Sequence, residues 1–279
     1  MTVTGVHVPL ITPFDDGGAV ALGVLERLAH EALDAGAAGL VALGTTAEPS
    51  ALSPAERAGV LRTLAGVGAP LIVGANTPDE LAALPPDVTA ALCLVPPFVR
   101  PGEDGVVAWF EALPKPVPLI VYHVPLRTGQ ELSAHALRRI AAIDGVIGMK
   151  YAPTGIDADV VDLLTDPPRG FAMLAATDTL LTPMLALGAH GAILASANVA
   201  VDSSGRLRAA LFAEPNPTVI KGVLHAQGRI PTPGVRLPLL PAAGASVAAA
   251  LRQFEQDQFE QDQAEVERET RRPSRASSR

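Results

Sequence analysis

Lysine and tyrosine are scarce in this chain, and two of the few stand where chemistry is possible. Lys115, Lys150 and Lys221 are the only lysines, and Tyr122 and Tyr151 the only tyrosines. Lys150 ends the apolar run VIGMK, and Tyr122 lies in the apolar run LIVYHV. Desolvation disfavours a charged ammonium, so a lysine at the end of a buried strand can present a free amine to a carbonyl. Taken alone, Lys150 could equally be a strand-end lysine whose ammonium snorkels to water. A phenol beside it changes the reading, because it can shuttle protons as a carbinolamine forms and dehydrates. Arg127 follows Tyr122 closely and offers a bidentate partner for a carboxylate, unless it is an ordinary surface arginine. Gly44-Thr45-Thr46 places hydroxyls and backbone N–H groups at a turn, suited to a carboxylate or a developing oxyanion.

These residues need a frame that brings their strand ends together. Short apolar runs alternate with longer amphipathic stretches along the chain. Strands are expected at residues 6–12, 39–44, 71–75, 91–95, 119–124, 146–150, 171–176 and 191–196. Residues 22–36 repeat Leu22, Leu25, Leu28, Ala29 and Ala32 on one helical face and stop at Gly36. Ser53-Pro54-Ala55-Glu56 reads as a capped helix start. Helices are also expected near residues 78–84, 103–113, 133–142 and 156–164, and Asp178 reads as the cap of the helix after the seventh strand. Near-continuously apolar strands indicate a parallel sheet buried on both faces. Eight such repeats favour a closed (β/α)8 TIM barrel, an α/β fold, over an open doubly wound sheet, and no GxGxxG follows the first strand. The site of such a barrel lies at the C-terminal strand ends, where Lys150, Tyr122, Arg127 and the threonines all fall.

The boundaries expected are a barrel over residues 1–204, a short helical extension over 205–251 and a polar, disordered tail over 252–279. The tail holds the tandem copies QFEQD and QFEQD and closes with RRPSRASSR.

Composition removes several classes of function. The chain has 279 residues, a net charge of −8 and one cysteine, Cys93. One cysteine forms no intrachain disulfide and no zinc site, and the charge disfavours nucleic acid as a partner. No apolar run is long enough to span a membrane, and the start lacks the pattern of a secretion signal, so a cytoplasmic location is expected. His7, His30, His123, His135, His190 and His225 show no spacing for a metal-dependent barrel hydrolase.

In family order the chain carries PLITPFDDGGAV, GTTAEPSALSPAER, YHVPLRTG, GMK, LLTPMLALGAHGAILASANV, LFAEPNPTVIK and RLPLLP. This ordered set, over residues 6–251, resembles the dihydrodipicolinate synthase / N-acetylneuraminate lyase family of class I aldolases. The resemblance implies a Schiff base at Lys150, with Tyr122 and Thr45 in the proton relay. It also implies substrate contacts at Thr46, Gly44, Ile193 and Arg127, Arg127 meeting the second substrate's carboxylate. It implies pyruvate and an aldehyde as substrates, no metal or organic cofactor, and a homodimer or homotetramer.

LFAEPNPTVIK and RLPLLP look most like the synthase branch, which condenses pyruvate with aspartate semialdehyde in lysine biosynthesis. Several positions depart from it. Phe98-Val99 stands where two aromatics are usual, the second a tyrosine, so no phenol is available there. His123 replaces the usual Asn, Tyr151 the usual Glu, Ala47 a Gly and Pro49 a small polar residue. A site for feedback lysine keeps Asn76 and Glu80 without its histidines, which implies weak or no inhibition by lysine. The segment between residues 201 and 211 is much shortened, and the helix after Asn76 is trimmed, so the eighth helix is expected to be missing and its wall exposed. Two further readings stand beside the synthase: an aldolase or dehydratase of 2-oxo-3-deoxy sugar acids, and a catalytically impaired paralogue.

Overall fold

The computed structural model describes residues 3–270. Eight parallel strands close into a barrel in sequence order: β1 (Gly5–Pro9), β2 (Gly39–Ala42), β3 (Leu71–Gly74), β4 (Ala90–Leu94), β5 (Leu119–His123), β6 (Val146–Tyr151), β7 (Ala172–Ala175) and β8 (Gly191–Ile193). β8 pairs with β1 through Gly5↔Gly191, Val6↔Ala192 and His7↔Ile193, which removes both sheet edges.

Helices on the outside follow the strands: α1 (Leu22–Asp34), α2 (Pro54–Gly66), α3 (Pro78–Ala82), α4 (Gly102–Ala112), α5 (Pro125–Thr128), α6 (Ala134–Ala141), α7 (Ala158–Thr165) and α8 (Leu181–Ala186). The expected cap at Ser53 is present as a reciprocal box, its side chain accepting from Glu56 N while the Glu56 carboxylate accepts from Ser53 N. α9 (Gly205–Leu211), α10 (Thr218–Ala226) and α11 (Gly244–Thr270) follow the barrel.

The buried side chains sort onto two faces, as period two along the strands requires. Val41, Ile72, Leu92, Ile120, Leu174 and Ile193 fill the barrel interior. A larger cluster, including Leu40, Val73, Cys93, Val121, Met149 and Ala175, packs against the helices. Cys93 is fully buried there, and desolvation pushes its thiol up to about 12, so it is an inert core side chain.

Four sequence expectations need correction. Strand boundaries are shorter: β1 ends at Pro9, although Leu10 N still donates to Val41 O. Asp178 does not cap the following helix. It opens a 3₁₀ turn without a side-chain cap, and its carboxylate instead accepts from Ser196 N at 2.8 Å. The shortened segment does not leave the wall bare, because it forms α9, whose Leu207 and Leu211 are fully buried. The trimmed helix after Asn76 is indeed only the five-residue α3.

The fourth correction concerns the tail. Residue 252 is not an element boundary, because α11 continues through both QFEQD copies to Thr270. Asp257, in the first copy, is buried and accepts from Ser204 N at 2.9 Å and Ser204 Oγ at 2.8 Å. Gln261 Nε2 donates to Asp202 O at 2.9 Å. The helix is thus tied to the start of α9 rather than frayed. RRPSRASSR lies outside the described residues.

Candidate active site

Lys150 and Tyr122 are brought together by strand register. They are direct partners across β5 and β6, one step before His123↔Tyr151. Both point into the barrel, because each follows an interior position by two residues, Ile120 on β5 and Gly148 on β6. Gly148 is required there: a Cβ would lie 2.7 Å from Ala172 O on β7. Lys150 is 5% exposed and Tyr122 is 7% exposed, so the amine does not snorkel to water. Its Nζ sits 4.1 Å from the centre of the Tyr122 ring, over its face. No hydrogen bond joins the amine to the phenol among the described residues.

The two threonines lie on a loop whose backbone is constrained on both sides. Leu43 and Glu48 hold positive φ values of 54° and 55°, uncommon for residues with side chains. Glu48 is held by its carboxylate, which accepts from Lys221 Nζ at 2.7 Å and from Arg236 N at 2.8 Å. Lys221 Nζ also donates to Gly234 O at 2.7 Å and lies 4.1 Å over the Phe14 ring. Desolvation lowers the Lys221 ammonium to about 8, with Glu48 opposing the shift. Thr12 Oγ1 donates to Ala47 O at 2.7 Å and ties the loop to the end of β1. Asn216 Nδ2 donates to Thr46 Oγ1 at 3.0 Å, which leaves the threonine's own O–H available to a ligand.

One cavity of about 810 Å³ opens at the C-terminal strand ends. Lys150, Tyr122, Thr45, Thr46, Arg127 and Ile193 all line it. Gly44 does not; it precedes the 3₁₀ turn of Thr45–Ala47 with an ordinary φ of −68°. Arg127, in the last turn of α5, is exposed and forms no ion pair among the described residues, so its guanidinium is free for an anion. Among the described residues no cluster of metal-ligating side chains occurs.

Sequence reasoning missed Asp178, Asn216 and the segment Phe212-Ala213-Glu214, all in the cavity wall. Asp178 is 5% exposed and close enough to Lys150 for that charge to act on it. Its position just before the apolar helical stretch 180–188 imitated a cap, which hid it. No local pattern marks Asn216, whose role depends on a hydrogen bond across 170 residues.

A buried amine facing a phenol, with anion-binding groups around one barrel mouth, defines the chemistry of a class I aldolase-type lyase. Comparison with known proteins places the chain within that class more narrowly. It belongs to the dihydrodipicolinate synthetase family, whose model matches residues 2–207. The 4-hydroxy-tetrahydrodipicolinate synthase of Thiobacillus denitrificans is 34% identical to it, over 91% of this chain and 98% of the relative. The enzyme of the same name from Laribacter hongkongensis is 32% identical, over 90% and 98%. Among solved structures, the dihydrodipicolinate synthase of Thermotoga maritima superposes with a TM-score of 0.84 at 26% identity, covering 92% of this chain and 99% of that one.

Proposed function

We propose that the chain is a pyruvate-dependent lyase that forms its Schiff base at Lys150, and that its reaction is that of a 4-hydroxy-tetrahydrodipicolinate synthase in lysine biosynthesis. The observation that carries this reading is the buried Lys150 amine over the Tyr122 ring at the mouth of the cavity. The relatives' shared name supports the acceptor.

The Thr46 hydroxyl, with the backbone N–H groups of its turn, receives the pyruvate carboxylate. Lys150 then attacks the ketone carbon, and the Tyr122 phenol delivers a proton to the departing carbinolamine oxygen, with Thr45 beside it in the relay. Loss of water leaves an iminium, and loss of a methyl proton converts it to the enamine that attacks the aldehyde carbon. Arg127 holds the carboxylate of that second substrate. No metal or organic cofactor enters these steps. Weak or no inhibition by lysine is expected, since Glu80 is engaged with Arg57 and Asn76 N, and Asn76 Oδ1 with Leu94 N.

A second reading has its own support. Phe98 is 91% exposed and Val99 77%, and neither supplies a phenol. Thr154, Thr177 and Thr179 add hydroxyls to the cavity wall, which would suit a polyhydroxylated 2-oxo-3-deoxy acid. Exposed Phe98, Val99 and Leu126 also support assembly into a homodimer or homotetramer. A cytoplasmic location fits the single buried thiol.

Turnover with pyruvate plus aspartate semialdehyde, measured against turnover of 2-oxo-3-deoxy sugar acids, separates the readings. Faster turnover of the semialdehyde supports the synthase. Faster turnover of the sugar acids assigns the sister activity, and pyruvate binding without turnover of either indicates an impaired enzyme.

A further inference from the structure

Behind the cavity wall lies a buried polar chain that none of the steps above uses. Asp178 Oδ1 accepts from Ser196 N at 2.8 Å. The hydroxyls of Ser196 and Ser203 lie 3.4 Å apart, and Arg208 Nε donates to Ser203 Oγ at 3.2 Å. Ser196 is fully buried, Ser203 is 5% exposed and Arg208 is 6% exposed. The chain therefore leads from Asp178, which lines the same cavity as Lys150, to a guanidinium in the interior.

That guanidinium is costly where it stands. A buried cation with few partners is destabilising, and an aliphatic side chain would fill the same space on α9 without that cost. Its position is nevertheless fixed from two sides. Ser204, the residue before α9, accepts from Leu207 N at 3.1 Å and is itself clamped by both oxygens of Asp257. Gln253 Nε2 donates to Asp257 Oδ1 at 3.1 Å, and Arg206 approaches Glu260 at 3.8 Å. The C-terminal helix α11 thus sets the place of Arg208.

We propose that Arg208 is a positioning residue for the lysine site: through Ser203 and Ser196 it holds the Asp178 carboxylate toward Lys150, and Asp257 on α11 fixes it there. The inference rests on the reading of Lys150 as the Schiff-base lysine. Asp178 then supplies the negative charge that stabilises the cationic iminium.

The electrostatics agree with the geometry. Burial raises the Asp178 carboxyl, while its Ser196 hydrogen bonds, Lys150 and Arg208 lower it. Burial lowers the Arg208 guanidinium, and Asp178, Asp202 and Asp257 oppose that shift. Removing Arg208 takes away one of the groups that keep Asp178 ionised. A higher pH is then needed for the carboxylate to face the iminium, so the acid limb of adduct formation moves upward.

The test follows the amount of pyruvate trapped on the full-length protein by borohydride between about pH 5 and pH 9, in wild type, Arg208→Met, Arg208→Lys and Ser203→Ala. Arg208→Met is expected to move the acid limb up by about one pH unit, the scale of one lost neighbouring charge. Arg208→Lys keeps the charge and restores the wild-type limb, which a merely structural role would not require. Should Arg208→Met fail to fold, Ser203→Ala must move the limb in the same direction. A limb unchanged in the folded variants, with wild type trapping normally, overturns the role of Arg208. No adduct in wild type overturns the lysine reading itself, and this inference with it.

Discussion

Tyr122 and Lys150 are register partners on neighbouring strands, and the lysine amine lies 4.1 Å above the tyrosine ring rather than at its hydroxyl. In the proposed reaction the ring face lies against the Lys150 nitrogen, while the phenol serves the substrate oxygen. Tyr122→Phe keeps the face and loses the proton carrier. It is expected to lower kcat by about 10²-fold or more with a smaller change in KM for pyruvate, read from steady-state kinetics.

Arg127 is exposed and forms no ion pair among the described residues, and its proposed role is to bind the acidic acceptor. Arg127→Ala is expected to raise the acceptor's KM by about tenfold, the value of one charge-assisted hydrogen bond, and to leave KM for pyruvate nearly unchanged. Arg127→Lys should recover only part of the loss, because a point charge does not reproduce a bidentate fork. Equal increases in both KM values would place Arg127 on pyruvate instead.

Lys221 and Glu48 form a fully buried pair that fixes the left-handed residue after the threonine loop. Lys221→Met leaves the Glu48 carboxylate without its cation in the interior. A loss of about 3 kcal/mol in unfolding free energy is expected from urea denaturation, seen as a lower midpoint with an unchanged slope.

His123 is buried beside Tyr151, their rings stacked at 5.8 Å, and its Nδ1 has no partner among the described residues. Desolvation lowers it to about 4. Between its ordinary value near 6.5 and that value, the unfolded chain takes up a proton that the folded chain refuses. Stability contributed by the neutral ring is therefore present above about pH 6.5 and lost as pH falls toward about 4, by up to about 3 kcal/mol. His123→Leu is expected to flatten this acid limb in thermal melts at a series of pH values. An unchanged limb would show that another group dominates.

The barrel was legible in the sequence because its strands are short apolar runs bounded by turn residues, a pattern buried parallel strands share. Lys150 and Tyr122 were legible for a related reason: a polar group ending such a run must lie at a barrel mouth. What escaped depended on contacts distant in the chain. Asp178 has the sequence setting of a helix cap, but the N–H of Ser196 competes successfully for its carboxylate. The QFEQD repeat reads as a solvated tail, yet Asp257 finds Ser204 across 53 residues. Neither partner is visible from local pattern.

Borohydride reduction in the presence of pyruvate, followed by peptide mass analysis, tests directly whether Lys150 forms the Schiff base. Lys221 is the rival amine, since burial lowers it to about 8. A reduced pyruvate adduct is expected on the peptide carrying Lys150 and absent in Lys150→Ala. An adduct on Lys221 or Lys115, or no adduct in folded protein, would contradict that assignment.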